Sequence, residues 1–136
     1  MTRKMDQHIS PWTTDTVRLE SPDGRKVAIL VEPWEIAMGA PTFGELKVSN
    51  GQYAEGCNPS MVWSDDSRFL AVPQWFDRMQ RLLILDTDAA RRSFAPDTYR
   101  VLELHSFSQG IVAGVDSPIH QPRELAFDIR TLFPNV

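Results

Sequence analysis

A tight turn followed by an apolar run recurs along this chain at about 42-residue intervals, and that spacing restricts the fold more than any other feature. The first copy reads Ser21-Pro22-Asp23-Gly24-Arg25-Lys26-Val27-Ala28-Ile29-Leu30-Val31. The second reads Ser64-Asp65-Asp66-Ser67-Arg68-Phe69-Leu70-Ala71-Val72, with Ser, the central Asp, Arg and Ala in register. A third, Ser106-Phe107-Ser108-Gln109-Gly110-Ile111-Val112-Ala113-Gly114-Val115, keeps the Ser, the Ala and the apolar run. A later segment repeats with the same offset: Arg81-Leu82-Leu83-Ile84-Leu85-Asp86 against Arg123-Glu124-Leu125-Ala126-Phe127-Asp128.

Each unit therefore reads as three short strands. The first strands fall at Val17–Leu19, Met61–Trp63 and Val101–Leu104, and lead into the turns. The second strands are Val27–Val31, Phe69–Val72 and Ile111–Val115, and the third are Leu46–Ser49, Leu82–Asp86 and Leu125–Ile129. Asp side chains bond to backbone two residues on and Gly accepts a positive φ, so Pro22-Asp23-Gly24 is a turn signal between strands. The second strands are continuous apolar runs, the pattern of strands buried on both faces. The best helical candidate is the short stretch Thr87–Arg92. Ten prolines and seven glycines spread along the chain punctuate short elements and argue against long helices. The expected fold class is mostly β: antiparallel sheets from three blade-like hairpin repeats, sandwich-like or an incomplete propeller. Residues 1–15 read as a polar N-terminal arm and 16–136 as a single β-rich repeat domain.

The segment Met61-Val62-Trp63-Ser64-Asp65-Asp66-Ser67-Arg68-Phe69-Leu70-Ala71-Val72 resembles the repeat of WD40- and TolB-like propellers. In those families a Trp-Ser-Pro-Asp-Gly-type turn precedes a Leu-Ala or Val-Ala strand. Ser21-Pro22-Asp23-Gly24 keeps the Pro and Gly, with Glu20 at the Trp position, and the third unit has His105 there. The resemblance implies a blade-like strand order and no particular activity. Three units do not make a propeller ring, which has four to eight blades. The expectation is an open sheet or sandwich, or two chains assembled into one ring.

Motifs for chemistry are absent from the sequence. His8, His105 and His120 lack metal-ligand spacing, and no metal or other cofactor is expected. No nucleophile elbow, dinucleotide fingerprint or P-loop occurs. Asp65-Asp66 read as turn residues rather than cation ligands. Cys57, the single cysteine, reads as an unreactive loop thiol beside Glu55, and its solitude points to a reducing, cytoplasmic location. A net charge of -4 without a basic patch argues against nucleic acid, and no apolar run has the length of a membrane span.

The distinctive residues lie in the loops that follow the second strands. Repeat proteins place unit-specific insertions on one face, and that face often binds. Trp34 and Glu35, then Trp75, Phe76, Asp77 and Arg78, then Asp116 and His120 are the candidate partner-binding residues, rich in the aromatic and Arg types of interface hot spots. The resulting expectation is a non-catalytic protein-binding module. Its partner is expected to be basic, and a toxin-neutralising immunity protein that acts by steric block is the named example. One alternative is a small-ligand or hydrolytic site on the same loop face, built from His105, His120, Asp77 and Asp116. Another is a structural subunit that forms a homo-oligomer through open sheet edges.

Overall fold

A computed structural model describes residues 9–35 and 37–134. Among these residues eleven strands form three consecutive antiparallel meanders. The first contains β1 (Val17–Glu20), β2 (Val27–Glu35), β3 (Thr42–Val48) and β4 (Tyr53–Cys57). The second contains β5 (Val62–Trp63), β6 (Phe69–Phe76), β7 (Met79–Asp86) and β8 (Arg91–Tyr99). The third contains β9 (Leu102–Ser108), β10 (Ile111–Asp116) and β11 (Arg123–Asp128), and a 3₁₀ turn, Ile129–Thr131, follows it. The first two meanders join into one sheet in the order β1-β2-β3-β4-β6-β7-β8, with β5 on β6, and the third is a separate sheet, β11-β10-β9. The junction is Cys57, which pairs with Gly44 on one side and Gln74 on the other, and residues 58–61 then connect β4 to β5. The structure is mostly β and its sheets do not close on themselves, matching the sandwich-like or incomplete-propeller expectation.

The pleat of the middle meander explains the layering. Successive side chains on a strand point to opposite faces. Leu70 and Val72 of β6, with Leu83 and Leu85 of β7, join one buried cluster with Ala28, Leu30, Leu46 and Val48 of the first meander. Their neighbours Phe69, Ala71, Leu82 and Ile84 join a second cluster with Leu102, Leu104, Phe107 and Val112 of the third. The middle sheet is thus covered on both faces, as its apolar runs require. The outer runs are different: β2 and β10 alternate between buried and more exposed positions, because each outer meander has one free face.

Bonds across the layers repeat with the units. Trp63 Nε1 donates to the Leu19 carbonyl at 2.9 Å, the Asp23 amide to Ser67 Oγ at 2.9 Å and the Leu104 amide to Ser60 Oγ at 2.9 Å. Each joins residues 44 apart, so every unit grips the next through near-equivalent positions.

The recurring turn has a physical identity. In the first unit Ser21 Oγ donates to Asp23 Oδ1, which accepts the Arg25 amide, while Ser21 Oγ accepts the Lys26 amide. In the second, Ser64 Oγ donates to Asp66 Oδ1, which accepts the Arg68 amide, and Ser64 Oγ accepts the Phe69 amide. The left-handed position is Gly24 in one (φ 73°) and Ser67 in the other (φ 65°). The third turn departs from this pattern. Ser108 pairs with Ile111 across a two-residue turn, Gln109-Gly110, with both central φ values positive, so Ser106 lies within β9 and not at the turn.

Two further readings need correction. Thr87–Arg92 is not helical: residues 87–90 form the β7–β8 turn and Arg91 opens β8. Asp86 organises it, accepting the amides of Asp88 and Ala89 at 3.2 Å each. The first two units also carry a fourth strand, β4 and β8, beyond the three expected. Of the polar arm, residues 1–8 and with them His8 lie outside the described residues. Ile9 packs against the first cluster, and Pro11 and Thr13 accept bonds from Thr42. Among the described residues no helix is long and apolar enough to cross a membrane.

Candidate binding cleft

Connections from all three meanders converge at one end of the stack. Strand β6 passes to β7 through Asp77-Arg78, both at positive φ (51° and 69°), a two-residue turn whose twist matches the strands it joins. Beside it lie the β2–β3 connection, Arg100-Val101 between β8 and β9, and the loop that leaves β10 at Ser117.

Two adjoining clefts open here. One, of about 330 Å³, is lined by Met38–Pro41, Trp75, Arg78, Met79, Arg100 and Val101. The other, of about 110 Å³, is lined by Trp12, Arg100, Val101 and Ser117–His120. Arg100 and Val101 are common to both, so the two form one surface with a shared floor. Trp12 Nε1 donates to the Gly39 carbonyl at 3.0 Å and fixes the N-terminal segment beside the β2–β3 loop. Trp75 Nε1 reaches the Thr42 carbonyl at 3.4 Å, turning the indole toward the first meander. Met38 (97% exposed), on the first cleft, and Ile119 (78%), on the second, are apolar groups presented to solvent.

Among the described residues the charged groups on the lining are Arg78 and Arg100, with His120 alongside, and no carboxylate lines either cleft. Asp116, a candidate for partner contact, is engaged internally. Its Oδ1 accepts the amides of Arg100 and Val101 at 3.2 Å each and Ser117 Oγ at 3.1 Å, and its Oδ2 lies 3.4 Å from Arg123 Nη2. It holds the floor of the cleft from beneath.

The eight candidate residues divide into groups. Trp75, Arg78 and His120 line the clefts, and Asp77 sits exposed at the turn. Trp34 packs edge-on against Phe43 with ring centroids 4.6 Å apart and lines neither cleft, while Glu35, the last residue of β2, accepts the Gly39 amide at 3.2 Å. Phe76 turns to another surface, where Arg81 lies 4.4 Å from its ring and 3.5 Å from that of Phe94. Burial pushes the Arg81 guanidinium pKa down, and its hydrogen bonds go to Gln74 Oε1 at 3.2 and 3.1 Å. His105 sits on β9, its Nε2 3.2 Å from Glu103 Oε1, and does not line either cleft.

Trp12, Met38, Met79, Arg100 and Val101 belong to the cleft but were not candidates. Val101 opens the third unit's expected first strand and so belongs at this end, but nothing in the sequence marks it or Arg100 as lining a cleft. Cys57 is buried in the first cluster at the end of β4, not in a loop, and burial pushes its thiol pKa up to about 12. Among the described residues no group of three or more His, Cys, Asp or Glu is placed to hold a metal ion. No family model matches the chain, and neither a curated protein nor a solved structure gives a significant match.

Proposed function

We propose that this domain is a non-catalytic protein-binding module whose cleft takes an extended partner segment carrying both apolar and acidic side chains. The observation behind this reading is the shared floor: an open apolar surface built from all three meanders, with two guanidiniums and no carboxylate among the described residues of its lining. Arg presents a planar fork that pairs with a carboxylate through two bonds, and Trp and Met supply adaptable apolar contact. The net charge of -4 favours a basic partner at long range. The local charge of the cleft is opposite, and contact geometry selects the segment that docks. A steric block of the partner is the mode of action such a surface serves, as in toxin neutralisation. Kinship with WD40- and TolB-like repeats belongs to the same proposal, supported by the matched Ser–Asp turn networks of the first two units.

An acetylated hexapeptide of alternating Glu and Leu is the direct probe. Binding should weaken about tenfold or more in Trp75→Ala, in keeping with aromatic hot spots. The pair Arg78→Gln/Arg100→Gln should weaken it and flatten its salt dependence while leaving the melting temperature near the parent value. A Glu–Leu peptide that binds the double variant as tightly as the parent would refute the assignment.

A further inference from the structure

Among the described residues the third meander has one strand fewer than the other two. In the first, β4 pairs with the outer edge of β3, and in the second β8 pairs with the outer edge of β7. Among the described residues nothing pairs with the outer edge of β11, the equivalent third strand. The direction of its backbone groups follows from the register. The Ile129 amide donates to the Gly110 carbonyl, so antiparallel alternation turns the backbone of Phe127, Leu125 and Arg123 toward β10. The amides and carbonyls of Glu124 and Ala126 therefore face outward, and both residues are exposed.

A second observation coincides with this edge. An open cleft of about 530 Å³ lies between β8 and β11, lined by Asp97, Thr98, Tyr99, Arg123 and Leu125. The cleft adjoins the edge on which a fourth strand of the third meander would pair. The fourth strands elsewhere in this chain define what fits. Strand β4 alternates exposed and more buried residues, and β8 buries Ala95 and Tyr99 while its remaining positions stay more exposed. On the outer face, Glu124 has no charged partner among the described residues. Opposite charges directly across a strand pair attract.

We infer that the β11 edge is a strand-addition site for an extended segment of a partner protein, alternating apolar residues toward the cleft with Lys or Arg on the outer face opposite Glu124. Main-chain bonds to Glu124 and Ala126 supply the affinity and the apolar side chains, resting on Tyr99 and Leu125, the selectivity. This site is separate from the loop-end cleft and does not depend on it.

The test uses the whole chain and an acetylated Lys-Val-Lys-Val-Lys-Val amide. The expected result is binding with a Kd below about 1 mM, with slowed hydrogen exchange at the Glu124 and Ala126 amides. The same peptide N-methylated at alternate residues should lose binding, since it cannot complete the ladder. Ala126→Pro, which removes an outward donor, should weaken binding at least ~10-fold, and Glu124→Gln by about 2- to 5-fold. Equal binding of the N-methylated peptide, protection elsewhere in the chain, or no binding at about 1 mM would overturn the proposal. A concentration-dependent doubling of mass abolished by Ala126→Pro would assign the edge to a second copy, overturning the partner segment.

Discussion

Asp86 shows how much of this fold rests on single polar side chains. Its side chain is fully buried, yet it receives two bonds from Arg68 (3.1 and 3.0 Å) and one from Arg91 (2.9 Å). Burial alone would raise its pKa; the bonds from Arg68, Arg91 and the Ala89 amide outweigh it and bring the carboxyl to about 2. A carboxyl depressed below its unfolded value stabilises the fold above that value, and the stabilisation disappears as pH falls through the folded pKa. Acid titration should therefore remove ~2 kcal/mol of stability between about pH 4 and pH 2. Asp86→Asn should lower stability by about 3 kcal/mol at neutral pH and flatten that acid limb, measured by denaturant unfolding at several pH values. Gly114 is a second such residue. It sits at the register shift between β9 and β10, where an added Cβ would lie 2.3 Å from the Glu103 carbonyl oxygen. Backbone cannot yield as a flexible side chain does, so Gly114→Ala should cost about 1–3 kcal/mol, read as a lower denaturation midpoint. The apolar run announced β10 but gave no hint of this contact, which depends on the approach of another strand.

At the scale of elements, legibility followed local chemistry. The Ser–Asp turns and their flanking strands could be read because one side chain bonds the backbone only two residues away, so the signal is contained in the segment. Ser21→Ala and Ser64→Ala should each lose about 1 kcal/mol, and by similar amounts, because the two networks are matched bond for bond. Strongly unequal losses in thermal unfolding would show that the repeat is one of sequence and not of energetics. The fourth strands were hidden because their signal is not local. Tyr53-Ala54-Glu55-Gly56-Cys57 has little strand propensity, and β8 contains Pro96 and Asp97. Pro96 is tolerated because it falls in the register shift between the Arg81–Thr98 and Leu83–Phe94 pairs, on a strand with a free edge. The stretch 87–92 suggested a helical turn from composition, and the Asp86 side chain instead bonds the amides that close a hairpin.

For the whole molecule, the stack was legible and the cleft only in part. Apolar runs distinguished the middle sheet, covered on both faces, and the common spacing placed equivalent loops at a common end. Which loop residues face one another depends on packing between layers. Trp75, Arg78 and His120 meet a shared floor, Trp34 and Phe76 turn to other surfaces, and Asp116 is used beneath it. Overall acidity suggested a basic partner, while the placement of Arg78 and Arg100 gives the cleft the opposite local sign. The most direct test is amide chemical-shift mapping on the isotope-labelled chain as the Glu–Leu hexapeptide is added. The account predicts perturbations concentrated at residues 38–41, 75–79, 100–101 and 117–120, reduced by salt. Perturbations centred on the opposite end, at the Ser21–Lys26 and Ser64–Phe69 turns, or none up to about 1 mM peptide, would contradict it.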